Sequence, residues 1–419
     1  MNTYSLYLHI PFCIHRCSYC DFNTYAGQES EIPAYVESLC REILLVSSSA
    51  NKRLPVHTIF FGGGTPSLLP LASLHKILNT IAGGFDLQPG LEISLEANPG
   101  TVSPDSLRGM REIGINRLSF GMQSAHPDDL RLLERQHNTI DVIQAVKWAR
   151  QAGFDNLNLD LIFGVPFQTL ERWQRSLDLA VSMGVEHLSL YSLTLEHGTP
   201  FLRWAEKGLI PFPDDDLAAD MYDWACERLS GAGFYQYEIS NWARHSDNGT
   251  SYMCRHNLQY WHNAPYFGFG AGAHGYIQGY RTANVLGIKA FIERCSEIEN
   301  CQFPIGPAAA QALLIDRWTE MQETMMVGLR LTDEGVSAQT FQKRFGETLN
   351  DMFGKQILSL MKVNLIEWAG PDGDRLRLTQ HGKLLGNYVF RQFVGEDVKP
   401  GHPFNPTQTK GSANWVNSP

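Results

Sequence analysis

The segment Ser5-Leu-Tyr7-Leu-His9-Ile-Pro-Phe-Cys13-Ile-His15-Arg-Cys17-Ser-Tyr19-Cys20 reads as a short apolar strand running straight into a loop that carries three thiols. The spacing CxxxCxxC brings three soft sulfur ligands from one loop into a small volume, and thiolates select iron-sulfur clusters, zinc or Cu(I). A structural zinc site needs a fourth ligand to close its tetrahedron, and His15 inside the loop keeps that reading open. An iron-sulfur cluster with three protein ligands leaves one iron open to an exogenous ligand. Cys40, Cys226, Cys254, Cys295 and Cys301 are scattered and read as ordinary buried thiols.

Working outward, β-rich apolar runs at 5–10, 57–61, 91–97, 116–121, 156–163 and 187–195 alternate with segments at 32–47, 71–82, 105–113, 139–151 and 169–183 that space apolar residues by three and four. This βα repeat predicts a parallel sheet, either doubly wound or a closed or partial barrel. A further helix is expected at 214–230, followed by a Gly-, Tyr- and Trp-rich stretch to about 279. Beyond it, 308–314, 317–327, 336–345 and 350–362 read as helical and 365–378 as a small hairpin around Pro371, Asp372 and Gly373, which suggests a winged-helix-like module. Residues 396–419 are polar and rich in Pro and Gly, the composition of a disordered tail.

The chain has 419 residues, enough for two or three domains. Lys and Arg total 34 against 44 Asp and Glu, a net charge of −10, which argues against a protein that covers nucleic-acid phosphates. The C-terminal module is therefore read as a packing domain rather than a DNA reader. With 43% hydrophobic and 19% charged residues the chain should fold. No run is long and apolar enough for a spanning helix, and no Lys or Arg precedes Cys13 to serve as a signal-peptide n-region. A cytoplasmic protein is expected, where clustered cysteines point to metal or catalysis rather than disulfides.

The stretch from Tyr7 through Cys13, Cys17 and Cys20 to Phe22 resembles the radical S-adenosyl-L-methionine (SAM) superfamily. The resemblance implies an α/β fold with a partial TIM-like (β/α)6 barrel, a 4Fe-4S cluster on Cys13, Cys17 and Cys20, and SAM chelating the open iron. A low-potential cluster of this kind passes one electron to the sulfonium. Gly62-Gly63-Gly64-Thr65-Pro66 follows the second strand, where glycines let backbone approach a ligand closely, and matches the stretch that holds the methionyl amino group. Glu96, Gln123, Arg135 and Asp160 match further SAM-contacting positions of the coproporphyrinogen-dehydrogenase branch, as do Tyr7, Tyr19 and Phe22. Several of these lie near the carboxyl ends of successive strands, where parallel βα folds place ligands.

That branch carries another Cys two positions after the third ligand, where this chain has Phe22, and an N-terminal arm for which the six residues before Tyr7 leave no room. Both departures weigh against oxidative decarboxylation. His256-Asn257-Leu-Gln-Tyr260-Trp261, ahead of the Gly-rich run 268–275, resembles the signature of the HemW group of haem chaperones. Imidazole is a common axial ligand of haem, Tyr and Trp can pack a flat macrocycle, and Asn257 could orient His256. An exposed or switchable His256 would suit a carrier; the bland alternative is a His capping a turn and two aromatics in the core. The expectation is a haem chaperone without coproporphyrinogen dehydrogenase activity, binding haem, a 4Fe-4S cluster and SAM and serving an unidentified haem acceptor. The alternative is a radical SAM oxidoreductase acting on coproporphyrinogen III or another tetrapyrrole. The expected domains are a radical SAM core at 1–237, a connecting region at 238–304, the C-terminal module at 305–393 and a disordered tail at 394–419.

Overall fold

The computed structural model describes residues 3–246, 249, 251–395 and 398. Most of the tail expected at 394–419 thus lies outside the described residues. Six strands, β1 (Tyr4–Ile10), β2 (Pro55–Gly63), β3 (Asp86–Ala97), β4 (Arg117–Gln123), β5 (Leu157–Phe163) and β6 (His187–Ser192), pair in parallel, each with the next in the chain. A doubly wound sheet reverses its order at a switch point. Across these six strands the order never reverses, so they wind one way, as a partial barrel does. The connections hold α1 (Ile32–Ser49), α2 (Leu71–Gly84), α3 (Pro104–Glu112), α4 (Thr139–Gln151) and α5 (Leu170–Ser182), and α6 (Asp215–Gly231) follows β6.

Strand alternation divides the sheet's two faces. Leu6, Leu8 and Ile10 on β1, Leu118, Phe120 and Met122 on β4, and Leu157, Leu159 and Leu161 on β5 are fully buried in one core with Leu39, Ile77, Leu107, Val142 and Leu177 of the helices. Each such side chain contributes about 1.5–3 kcal/mol of burial. The intervening positions are polar: Ser5, Thr58, Ser94, Arg117, Asn158 and His187 are at most 2% exposed. Burying polar groups is unfavourable unless they are bonded. Asn158 accordingly donates to Ser119 Oγ (2.7 Å) and Asp160 Oδ1 (2.8 Å), and its Oδ1 accepts from His187 Nδ1 (2.6 Å).

Beyond β6, β7 (Asn241–Ala243) adds an antiparallel strand. On the other side of β1, β8 (Tyr266–Phe269) joins in parallel, followed by antiparallel β9 (His274–Ile277), β10 (Tyr280–Asn284) and β11 (Ala309–Leu314). The helix expected at 308–314 is therefore β11. Its Ala, Gln and Leu residues favour a helix locally, but the run ends at Asp316, which caps the next helix, and pairing with β10 overrides propensity.

The chain divides into two compact units. The first comprises residues 1–235, 240–256 and 265–314, and the second 236–239, 257–264 and 315–419. The connecting region expected at 238–304 is thus shared between them rather than forming a body of its own. In the second unit, helices Arg317–Gly328, Ala338–Phe345 and Leu349–Lys362 bury Met325, Phe341, Phe353 and Leu360 against Leu376. Three antiparallel strands, Val336–Ser337, Arg375–Leu378 and Ile366–Ala369, complete a winged-helix-like arrangement. Among the described residues, no helix is long and apolar enough to cross a membrane.

Candidate cofactor site

The cysteine loop is pinned where it leaves β1. The short strand Phe12–Cys13 pairs in parallel with Tyr25–Ala26, closing the loop on itself. Gly64 N donates to Ile10 O and Thr65 N to Phe12 O, both at 2.8 Å, locking the loop to the end of β2. His9 donates from Nε2 to Asn23 O (2.9 Å) and accepts at Nδ1 from Tyr7 Oη (3.0 Å), so this neutral tautomer satisfies both ring nitrogens. Burial, the largest influence, holds the His9 pKa below its usual value, in keeping with that neutral form. Asn23 Nδ2 donates to Ala271 O (3.0 Å) and Leu286 O (2.9 Å), which seats the Gly-rich segment after β8 beside the loop.

Each cysteine sulfur has a polar neighbour. Thr65 Oγ1 donates to Cys13 Sγ (3.7 Å), Arg135 Nη1 donates to Cys17 Sγ (3.7 Å), and Thr24 Oγ1 lies 4.0 Å from Cys20 Sγ. All three cysteines are free. Burial pushes the Cys13 thiol up and that of Cys20 to about 11, so both are protonated near neutrality and metal uptake must release protons. Among the described residues no group of three or more His, Cys, Asp or Glu could hold a single metal ion. His15, the fourth ligand a zinc site would want, is paired through Nε2 with Glu134 Oε2 (3.2 Å).

Beside the loop, at the carboxyl ends of β2–β5, the remaining residues gather. Gly63 N donates to Glu96 Oε2 (3.1 Å). Burial foremost, then the charge of Asp160, raises Glu96 to about 8. Asp160 is also raised by burial, although Ser119 Oγ (2.7 Å) and Asn158 Nδ2 (2.8 Å) donate to it. Gln123 (φ 63°) and Glu134 (φ 53°) adopt left-handed backbone, a conformation that clusters at functional sites. Directly after Glu134, Arg135 gives Nη2 to Gly121 O (3.2 Å), while its Nε is buried without a partner. An orphaned donor on a buried guanidinium that also bonds a cysteine of the loop suits a charged polar ligand beside the cluster loop. Burial raises the Tyr7 and Tyr19 hydroxyls, and Tyr19 packs edge-on against Phe201. Phe22 is 44% exposed.

The glycines have a reason other than the expected one. A Cβ at Gly64 would lie 2.6 Å from Phe12 O and 2.8 Å from Ile10 O, and one at Gly63 2.5 Å from the His9 ring. The space that they leave is taken by the chain's own β1 exit, not only by a ligand.

The HNxxYW stretch lies on α7 (Arg255–Trp261). His256 belongs to the first unit and Asn257, Tyr260 and Trp261 to the second. An exposed His256 is not what the structure has: the ring is 1% exposed, Nδ1 shares a hydrogen bond with Thr58 Oγ1 (2.9 Å), and Phe60 stacks on it at 5.0 Å. Burial foremost lowers its pKa to about 3, so it is neutral. The second-unit Trp261 is covered by the Arg330 guanidinium at 4.4 Å.

Three residues escaped the sequence reading. Glu92 accepts from Arg255 N and His256 N, both at 3.1 Å, capping α7. Glu134 accepts from Ser18 Oγ as well as His15, clamping the cysteine loop. Glu42 accepts from Gly270 N (2.8 Å) and Asn284 Nδ2 (2.7 Å), fixing the Gly-rich turn. Only Glu134 had a signal, its place next to Arg135. A separate cavity of about 360 Å3, bordered by Tyr25, Glu31, Gly287 and Lys289, contains none of the candidate residues.

Residues 7–180 match the radical SAM superfamily, and residues 315–385 match the HemN C-terminal domain. In overall fold the chain is similar to the coproporphyrinogen III oxidase HemN of Escherichia coli, with a TM-score of 0.76 at 22% identity over 94% of this chain and 90% of that one. Fold, thiol loop and strand-end constellation together define a radical SAM protein. The heme chaperone HemW of Bacillus subtilis is 39% identical over 94% of this chain and 99% of its own length, and that of Mycobacterium tuberculosis 36% over 94% and 95%. The chain belongs to the HemW family.

Proposed function

We propose that this protein is a haem chaperone that carries a 4Fe-4S cluster and SAM and hands haem to an acceptor protein. The observation that carries the reading is the pinned loop of three free thiols beside Gly63, Glu96, Arg135 and Asp160, in a chain whose relatives are named heme chaperones. Cys13, Cys17 and Cys20 hold the cluster, which when bound supplies an iron with an open position and a one-electron carrier. Gly63, Gly64 and Thr65 offer backbone to the SAM ammonium, Glu96 and Asp160 balance its positive charge, and Gln123, Arg135, Tyr7, Tyr19 and Phe22 line the rest. Haem binds at α7 through His256, Asn257, Tyr260 and Trp261; the buried His256 ring, held at Nδ1 by Thr58, must be uncovered for Nε2 to reach iron, a switchable ligation that suits a carrier. The acceptor is an apo-haemoprotein, and the compartment is the cytoplasm.

Anaerobic haem titration of the reconstituted protein, followed by addition of an apo-haemoprotein, tests the reading: haem should bind and then transfer. His256→Ala should weaken haem binding with cluster content intact. Unchanged affinity would reject His256 as ligand and leave it as the core residue that anchors α7. The gathering of Glu96, Gln123, Arg135 and Asp160 is also what a SAM-cleaving oxidoreductase needs. Conversion of coproporphyrinogen III to protoporphyrinogen by the reduced protein with SAM would replace the chaperone reading with that one.

A further inference from the structure

We propose that Thr65, Arg135 and Thr24 form a donor shell around the three cysteine sulfurs that sets the reduction potential of the cluster. The proposal rests on the cluster reading above. Each sulfur has a side-chain donor within reach: Cys13 receives Thr65 Oγ1 at 3.7 Å, Cys17 receives Arg135 Nη1 at 3.7 Å, and Cys20 has Thr24 Oγ1 at 4.0 Å, with Thr24 also within reach of Cys13. Once the thiols are deprotonated ligands they can only accept, so all three neighbours become donors to sulfur. The three donors come from separate places, the end of β2, the loop before α4 and the cysteine loop itself, so local backbone geometry does not force the arrangement. Thr24 is 3% exposed, which keeps water from standing in for it.

Reduction adds one negative charge to the cluster. Hydrogen bonds and a neighbouring buried cation stabilise the reduced form more than the oxidised one, so the shell raises the midpoint potential. Arg135 acts most strongly because it brings a full charge; Thr65 and Thr24 bring dipoles. A raised potential weakens the drive to pass an electron to the sulfonium, which suits a protein that holds SAM without consuming it. These are positioning residues, and Arg135 keeps Nε for the ligand proposed above.

The test is a dithionite titration of the anaerobically reconstituted full-length protein, one electron per cluster, with the reduced fraction read by electron paramagnetic resonance. At a fixed solution potential the reduced-to-oxidised ratio should fall about tenfold in Arg135→Gln, equal to about 59 mV for one electron. It should fall about threefold in Thr65→Val and in Thr24→Val, and recover in Thr65→Ser. Variants with full iron and sulfide whose midpoints match the unsubstituted protein overturn the donor shell and leave the cluster reading standing. If Arg135→Gln does not assemble a cluster, the two Thr→Val variants decide. An unsubstituted protein that takes up no iron or sulfide overturns the cluster reading itself and this proposal with it.

Discussion

Gly64→Ala should separate the cysteine loop from the barrel without disturbing the rest of the fold. The added methyl would sit 2.6 Å from Phe12 O, 2.8 Å from Ile10 O and 3.0 Å from Pro11 C, all backbone atoms that cannot swing aside. Relief requires the β1 exit and the β2 end to part, which breaks Gly64 N to Ile10 O and Thr65 N to Phe12 O. Two such bonds are worth about 1 kcal/mol each, and residual strain brings the expected loss to about 2–4 kcal/mol. The same displacement withdraws Thr65 from Cys13, so cluster retention should fall with stability. Gly83→Ala is the contrasting control, because Gly83 lies in α2 with nothing within 4 Å of its Cβ. It should stabilise the protein by about 0.5–1 kcal/mol. The assays are the thermal midpoint and the iron and sulfide content after anaerobic reconstitution. A Gly64→Ala protein with an unchanged midpoint and a full cluster would refute the argument that the glycine run exists to admit the β1 exit.

Glu92→Ala removes both acceptors from the start of α7 and should cost about 1–3 kcal/mol, seen as a lower thermal midpoint with faster haem release. Glu42 is raised to about 8, mainly by burial, whereas an unfolded Glu titrates near about 4.3. The folded state therefore binds more protons between these values, and Glu42 makes stability fall as pH rises through that window. Glu42→Gln should flatten this slope in thermal midpoints measured from pH 5 to 8, leaving the part due to Glu96, which shifts in the same direction. An undiminished slope would assign the titration elsewhere. Cys17→Ser should lose the cluster while haem binding, followed by visible absorption, persists; joint loss would mean that the two depend on one folding event.

The alternation of apolar runs and amphipathic segments identified all six barrel strands and their helices, with α4 expected and found at 139–151. Local pattern suffices there because each element buries a continuous apolar face. It fails at 309–314, where Ala and Leu suit either state and only the neighbouring strand decides. The thiols were legible because their chemistry depends on spacing within one loop. Glu42, Glu92 and Glu134 were not, since each acts on backbone or side chains at least 116 residues away in sequence, His15 and Ser18 lying 119 and 116 residues from Glu134.

By itself the sequence determined the βα order and the position of the thiol loop, both properties of short contiguous stretches. Tertiary structure alone decided that the six barrel strands follow one another without reversal, that His256 is buried against Thr58 and Phe60, and that each sulfur has a side-chain donor within reach. The physical reason is range: hydrophobic periodicity is a property of neighbours in the chain, whereas a buried polar side chain takes its role from whichever distant group satisfies its hydrogen bonds.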